Sequence, residues 1–262
     1  MRCRPLLIVA SVAFLSHLLW SQTNGLRMIH VFVALADNEH QGIVPVAAKL
    51  GNGEDAEHNL YWGSAYGVKT FFSRSPDWER VTCGLKPKAE VLERCVFKYH
   101  AADVYLVADA YRGMEIKQAI LDFLDSAAGD GSEILSLPTE SGSLKLPIRG
   151  GANVVVYAGH DGLMDFQLSR VPHQKNALHR DAIVLACASK QFFAEPVRMT
   201  GAEPLLWTTG LMAPEAYTLK SALDGWIAGE SNGLIRDRAA RAYDKYQKCG
   251  FKAAHRLLTS GW

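Results

Sequence analysis

The stretch NVVVYA at 153–158 runs straight into Gly159-His160-Asp161-Gly162, and its reading decides the fold. Apolar, branched and aromatic residues follow one another without a polar alternate, the pattern of a strand buried on both faces, as in a parallel sheet. A second run of the same kind, DAIVLA at 181–186, delivers Cys187. The 18 residues from Gly162 to His179 leave room for a short crossover, so the two strands are expected to be parallel neighbours.

Outward from this pair, MIHVFVALA at 28–36 reads as a buried first strand, ended by Asp37-Asn38. Glycines mark 42–53 as a loop, and the aromatic spacing of NLYWGSAYGVKTFF at 59–72 predicts a helix. Two or three short strands are expected over 78–110, then a helix over 115–127 and a loop punctuated by Gly, Ser and Pro up to 152. Beyond Cys187, Phe192-Phe193 leads into a Gly/Pro-rich stretch, a helix over 214–227 and one long basic helix over 234–258. Strands alternating with helices predict an α/β fold with a mainly parallel central sheet flanked by helices.

Composition agrees with a folded chain of 262 residues, 48% hydrophobic and 21% charged. Residues 1–25 have the order of an export signal: a short basic start, an apolar run over 6–20, then small and polar residues up to Gly25. The apolar run is shorter than the roughly 20 residues a bilayer requires. Cleavage near Gly25 is therefore expected, leaving 26–262 as a single domain, secreted or periplasmic, without stable membrane insertion. The formal net charge is +1, and losing Arg2 and Arg4 with the leader brings it to about −1. No nucleic-acid partner is expected from such neutrality. Cys83, Cys95, Cys187 and Cys249 would meet an oxidising compartment, with Cys83 and Cys95 the plausible pair around Gly84 and Pro87.

Ligands of open parallel sheets bind beyond the carboxyl ends of the strands, where His160 and Cys187 both fall. A thiol becomes a nucleophile when a nearby imidazole takes its proton, and Gly159 and Gly162 would let a substrate backbone approach. At VVVYAGHDG and AIVLAC the sequence resembles the caspase-like cysteine peptidases, a clan that includes legumains, gingipains, clostripains and separases. The resemblance covers 153–189 well and the first strand loosely. It implies a caspase-hemoglobinase-like fold, a peptide or protein substrate and no cofactor or metal. It further implies His160 as general base and acid, Cys187 as nucleophile, and the backbone around Gly162 and Cys187 as part of an oxyanion hole.

The sequence departs from that family by inserting Asp161 between the histidine and the glycine. Pointing inward, its carboxylate would repel an oxyanion; pointing sideways, it would orient His160. Ser189 is a further candidate for the substrate wall, and Asp37 or Asp165 could supply an acidic pocket for a basic substrate side chain. Two other readings stand beside the peptidase. One is an inactive caspase-like binding or surface protein. The other is a metal-dependent hydrolase using His160, Asp161, Asp165, His173, His179 and Asp181.

Overall fold

The structure is a computed structural model and describes residues 25–140 and 142–262; the expected export signal lies, but for Gly25, outside them. Strand β1 (Arg27–Ala34) is the centre of an eight-stranded sheet. On one side of it run β4 (Val104–Tyr111), β3 (Val91–Tyr99) and β2 (Trp78–Leu85); on the other, β7 (Val154–Ala158), β8 (Asp181–Leu185), β9 (Glu203–Thr208) and the short β10 (Leu258–Thr259). The five strands from β4 to β9 are mutually parallel, whereas β3 and β10 run against their neighbours. The chain leaves β1 for one side of the sheet and crosses to the other at β7, so the order reverses between β1 and β7. Such a reversal opens a crevice at the carboxyl ends of the strands.

Alternate side chains of β1 explain the layers. Ile29, Val31, Val33 and Leu35 enter one core, covered by α4 (Ala216–Ile227), α5 (Asn232–Gln247) and α6 (Phe251–Leu257); α1 (Val68–Arg74) adds Val68 and Phe72. Met28, Phe32 and Ala34 enter the other, under α2 (Ile116–Ala128) and α3 (Ser189–Thr200). A two-stranded hairpin, β5 (Glu133–Thr139) with β6 (Gly142–Ile148), adds Leu137, Leu146 and Ile148 to this second face. A disulfide between Cys83 and Cys95 ties β2 to β3. Among the described residues no helix is long and apolar enough to cross a membrane.

Four expectations are corrected. Over 59–72 the chain forms turns, with a helix only from Val68. There the Asn59 amide donates to Ala36 O and its Oδ1 accepts from Ala36 N, fastening the segment to the end of β1. The long basic helix is broken, since Lys248 adopts a left-handed conformation with φ 56° and Gly250 follows at φ 85°. The Gly/Pro-rich stretch contains α3 and β9. Pro196 sits inside α3, where a helix normally excludes it, while Phe193 and Val197 are fully buried. The loop before 153 contains the β5–β6 hairpin.

Candidate active site at the carboxyl ends of the parallel strands

Strands β7 and β8 pair in parallel from Val154↔Asp181 to Ala158↔Leu185. One further bond, from Gly159 N to Leu185 O at 3.2 Å, carries the pairing past the last strand residue. His160 and Cys187 each stand two positions beyond Ala158↔Leu185, so the sheet presents them opposite one another. Both lie past the last paired position of the two strands. The two side chains share no hydrogen bond with each other; each is held by another group.

His160 is buried, and its Nε2 lies 2.6 Å from Oδ2 of Asp165. A carboxylate only accepts, so Nε2 carries the proton and Nδ1 is left with its lone pair. Among the described residues no protein group bonds to Nδ1, nor is it sealed away from solvent. Asp165 also accepts from Gly42 N at 3.2 Å, joining the loop after β7 to the loop after β1.

Cys187 is half-buried and free. The Met212 amide donates to its Sγ at 3.4 Å, and Sγ lies 3.6 Å from Met212 O. Both contacts fasten the sulfur to the loop between β9 and α4. The next residue, Ala188, is left-handed at φ 47° and ψ 32°, and α3 begins directly after it. A non-glycine residue in this region is strained. The strain makes a sharp strand-to-helix turn that lifts the preceding side chain above the sheet end, as in a nucleophile elbow.

The remaining candidates are used differently from the sequence expectation. Asp161 is fully buried and points neither at His160 nor into open space: its Oδ1 accepts from Leu163 N at 3.0 Å, and its Oδ2 has no partner. Burial, with the neighbouring Asp165 charge, pushes its pKa up to about 7. The carboxylate that orients the histidine is Asp165. Gly162 is packed, since a Cβ there would meet the Phe166 ring at 2.7 Å. Its amide donates to His160 O at 3.1 Å, which withdraws that amide from the expected oxyanion hole.

Gly159, at φ 154°, serves the close approach of β7 to β1, where a Cβ would lie 2.9 Å from Ala34 O. Ser189 is fully buried, and its hydroxyl donates to Val184 O at 2.8 Å, so it is no part of a substrate wall. Asp37 caps the turn after β1, accepting from the amides of Glu39 and His40 and from His40 Nδ1 at 2.9 Å. It lines a cleft of about 280 Å³ within the β1 loop.

The six proposed metal ligands are not brought together. Asp181, paired with His179 at 3.2 Å, opens β8 at its amino end, whereas His160 follows β7 at its carboxyl end. Among the described residues, the one group of three close potential ligands is Cys83, Glu93 and Cys95, and its two sulfurs form the disulfide.

Sequence reasoning did not find Asp165 as the partner of His160, Met212 as the partner of Cys187, or the strain at Ala188. It also missed an apolar rim at this end of the sheet. Val44, Tyr66, Met114, Met164 and Leu211 are exposed on the loops after β1, β4, β7 and β9. Comparison of the chain with family models, curated proteins and solved structures finds no match.

Proposed function

We propose that this protein is an exported cysteine endopeptidase of the caspase-like kind, with Cys187 as nucleophile and His160 as general base and acid. The observation that carries the reading is the β7–β8 register, which sets His160 opposite Cys187 at the crevice of a parallel sheet. The Ala188 turn and the Met212 amide support it from the thiol side, and the Asp165–Nε2 bond supports it from the imidazole side. In the reaction Nδ1 of His160 takes the thiol proton and the sulfur adds to the peptide carbonyl carbon. The imidazolium then protonates the departing amine as the C–N bond breaks, and water hydrolyses the thioester to free the thiol. The exposed apolar rim supplies contact area for a peptide laid across the mouth.

Export is supported by the Cys83–Cys95 disulfide, a bond characteristic of oxidising compartments. N-terminal sequencing of the protein from its native host is expected to start close to Gly25. A mature chain that retains residues 6–20 would exclude a cleaved leader.

A peptidyl acyloxymethyl ketone is expected to alkylate Cys187 in the full protein, with peptide mapping to separate it from the exposed Cys249. Cys187→Ala should abolish that adduct and His160→Ala should slow it by about 100-fold or more. Equal labelling of the His160→Ala variant, or modification at Cys249 alone, would remove the dyad. A second reading, a binding protein that retains the fold without turnover, is favoured by the Gly162 amide, which is turned onto His160 O. That reading predicts a folded protein with no ketone adduct at Cys187.

A further inference from the structure

Asp161, which the peptidase reaction does not use, lies under the turn that joins the histidine to its carboxylate. A three-residue 3-10 turn, Gly162–Met164, follows it; Asp161 caps the start and Asp165 the end. The Asp161 side chain accepts from Leu163 N at 3.0 Å and its carbonyl from Met164 N at 3.1 Å, while Gly162 O accepts from Asp165 N and Phe166 N at 3.0 Å each. Upstream, Tyr157 Oη donates to His160 O at 2.7 Å. The turn has no slack, because a Cβ on Gly162 would meet the Phe166 ring at 2.7 Å and Ile116 Cδ1 at 3.1 Å. The seat of Asp165 on His160 Nε2 therefore follows the seat of Asp161.

Asp161 is fully buried, with Oδ2 sealed and unpartnered, and among the described residues no lysine or arginine pairs with it. Its ionisable neighbours are Tyr157 on β7 and His160 and Asp165 in its own loop. Helices α2 and α3 pack against the turn, but Lys117 of α2 lies over the Phe166 ring at 5.6 Å and Lys190 of α3 over Trp207 at 5.3 Å. From the loop after β1, Asp37 is bound to His40, and Gly42 N donates to Asp165.

A carboxyl enclosed in this way stays in place while it is neutral. Once ionised, with one oxygen unanswered and a like charge at the other end of the same turn, it is driven toward water. Resting on the peptidase reading, we infer that Asp161 is a positioning residue that works as a proton-operated latch. Carrying its proton, it stays beneath the turn and keeps Asp165 on His160; ionised, it opens the turn, and the imidazole loses its carboxylate. Burial and the Asp165 charge push its pKa up to about 7, which holds the peptidase to the acid side of neutrality.

The test uses the full chain, its Asp161→Asn variant, which keeps an oxygen for the Leu163 amide and cannot ionise, and Asp165→Asn. The first readout is NMR. An imidazole N–H held by a carboxylate gives a far-downfield proton signal, and the one that Asp165→Asn removes belongs to His160. In the wild type this signal is expected to fade between about pH 6 and pH 8, sharing its midpoint with the Asp161 carboxyl carbon shift, and to persist in Asp161→Asn. The second readout is peptide cleavage over the same range. Wild-type kcat/KM is expected to fall about 10-fold, following the protonated fraction of the carboxyl, while Asp161→Asn keeps at pH 8 most of the rate it has at pH 6.

A signal that fades alike in wild type and variant, or a carboxyl midpoint that lies apart from the fading, overturns the inference; if peptides are still cleaved, the peptidase stands. A wild-type rate that falls while the signal persists overturns it as well. Coinciding midpoints without cleavage of any peptide keep the latch and overturn the peptidase. Should Asp161→Asn fail to fold, the two wild-type midpoints decide alone.

Discussion

Asp109→Ala is expected to destabilise the protein by about 3–5 kcal/mol, the usual cost of stripping one partner from a buried ion pair. Asp109 on β4 is 1% exposed, and Arg94 on β3 donates to it twice, at 2.6 and 2.8 Å. His30 on β1 lies 3.1 Å from the same carboxylate, and its Nδ1 accepts from Arg149 N at 3.0 Å. Burial works against the Asp109 charge, but the Arg94 hydrogen bonds and then His30 outweigh it and hold the pKa well below the carboxylate range. Burial also lowers the His30 pKa, keeping the ring neutral near pH 7.

Removal of the carboxylate leaves a guanidinium inside the protein with only Glu133, at 3.5 Å and half exposed, to answer it. The double variant Asp109→Leu/Arg94→Leu removes both charges and should lose distinctly less than the single one. Urea denaturation followed by circular dichroism measures both. A single-variant loss below about 1 kcal/mol would show that the pair is not desolvated as described. Because the folded pKa is depressed, the contribution is complete above the unfolded value near 4 and is lost as pH falls through the folded one.

The second large effect has the opposite sign with pH. Asp161 has a carboxyl with one oxygen unpartnered, burial pushing its pKa to about 7, and Asp165, His160 and Tyr157 as its ionisable neighbours. A carboxyl whose pKa rises on folding is fully tolerated below the unfolded value near 4. Its stability is lost as pH climbs through the folded value, up to about 4 kcal/mol in total. Asp161→Asn keeps an oxygen for the Leu163 amide and carries no charge. The two proteins should unfold at the same urea concentration near pH 4 and diverge steadily toward pH 8, with the variant the more stable. Denaturation curves that keep the same separation at every pH would show that Asp161 is ionised and solvated in the fold.

The apolar runs of β1, β7 and β8 were legible because a parallel strand covered on both faces has no polar alternate to confuse its pattern. Their order alone places His160 and Cys187 at one crevice. Where the local signal opposed the final structure, reading failed. Pro196 hides α3, Pro204 near the start of β9 hides that strand, and the aromatics of 59–72 are spaced like a helix while Asn59 stitches them into turns. Asp165 and Met212 become neighbours of His160 and Cys187 only through loops whose course no periodicity encodes. A signal for the Asp109 network did exist: His30 interrupts MIHVFVALA and Asp109 interrupts VYLVADAY, and a polar group inside such a strand requires a partner.

The β9–α4 loop couples two parts of the molecule that have no direct bond. Tyr243, in the body of α5, is tied to Ala213, and the adjacent Met212 is tied to the sulfur. A tilt of that helix is therefore expected to shift the loop residue that holds the sulfur. The seating of α5 and the seating of the sulfur are thus fastened through two successive residues of one short connection.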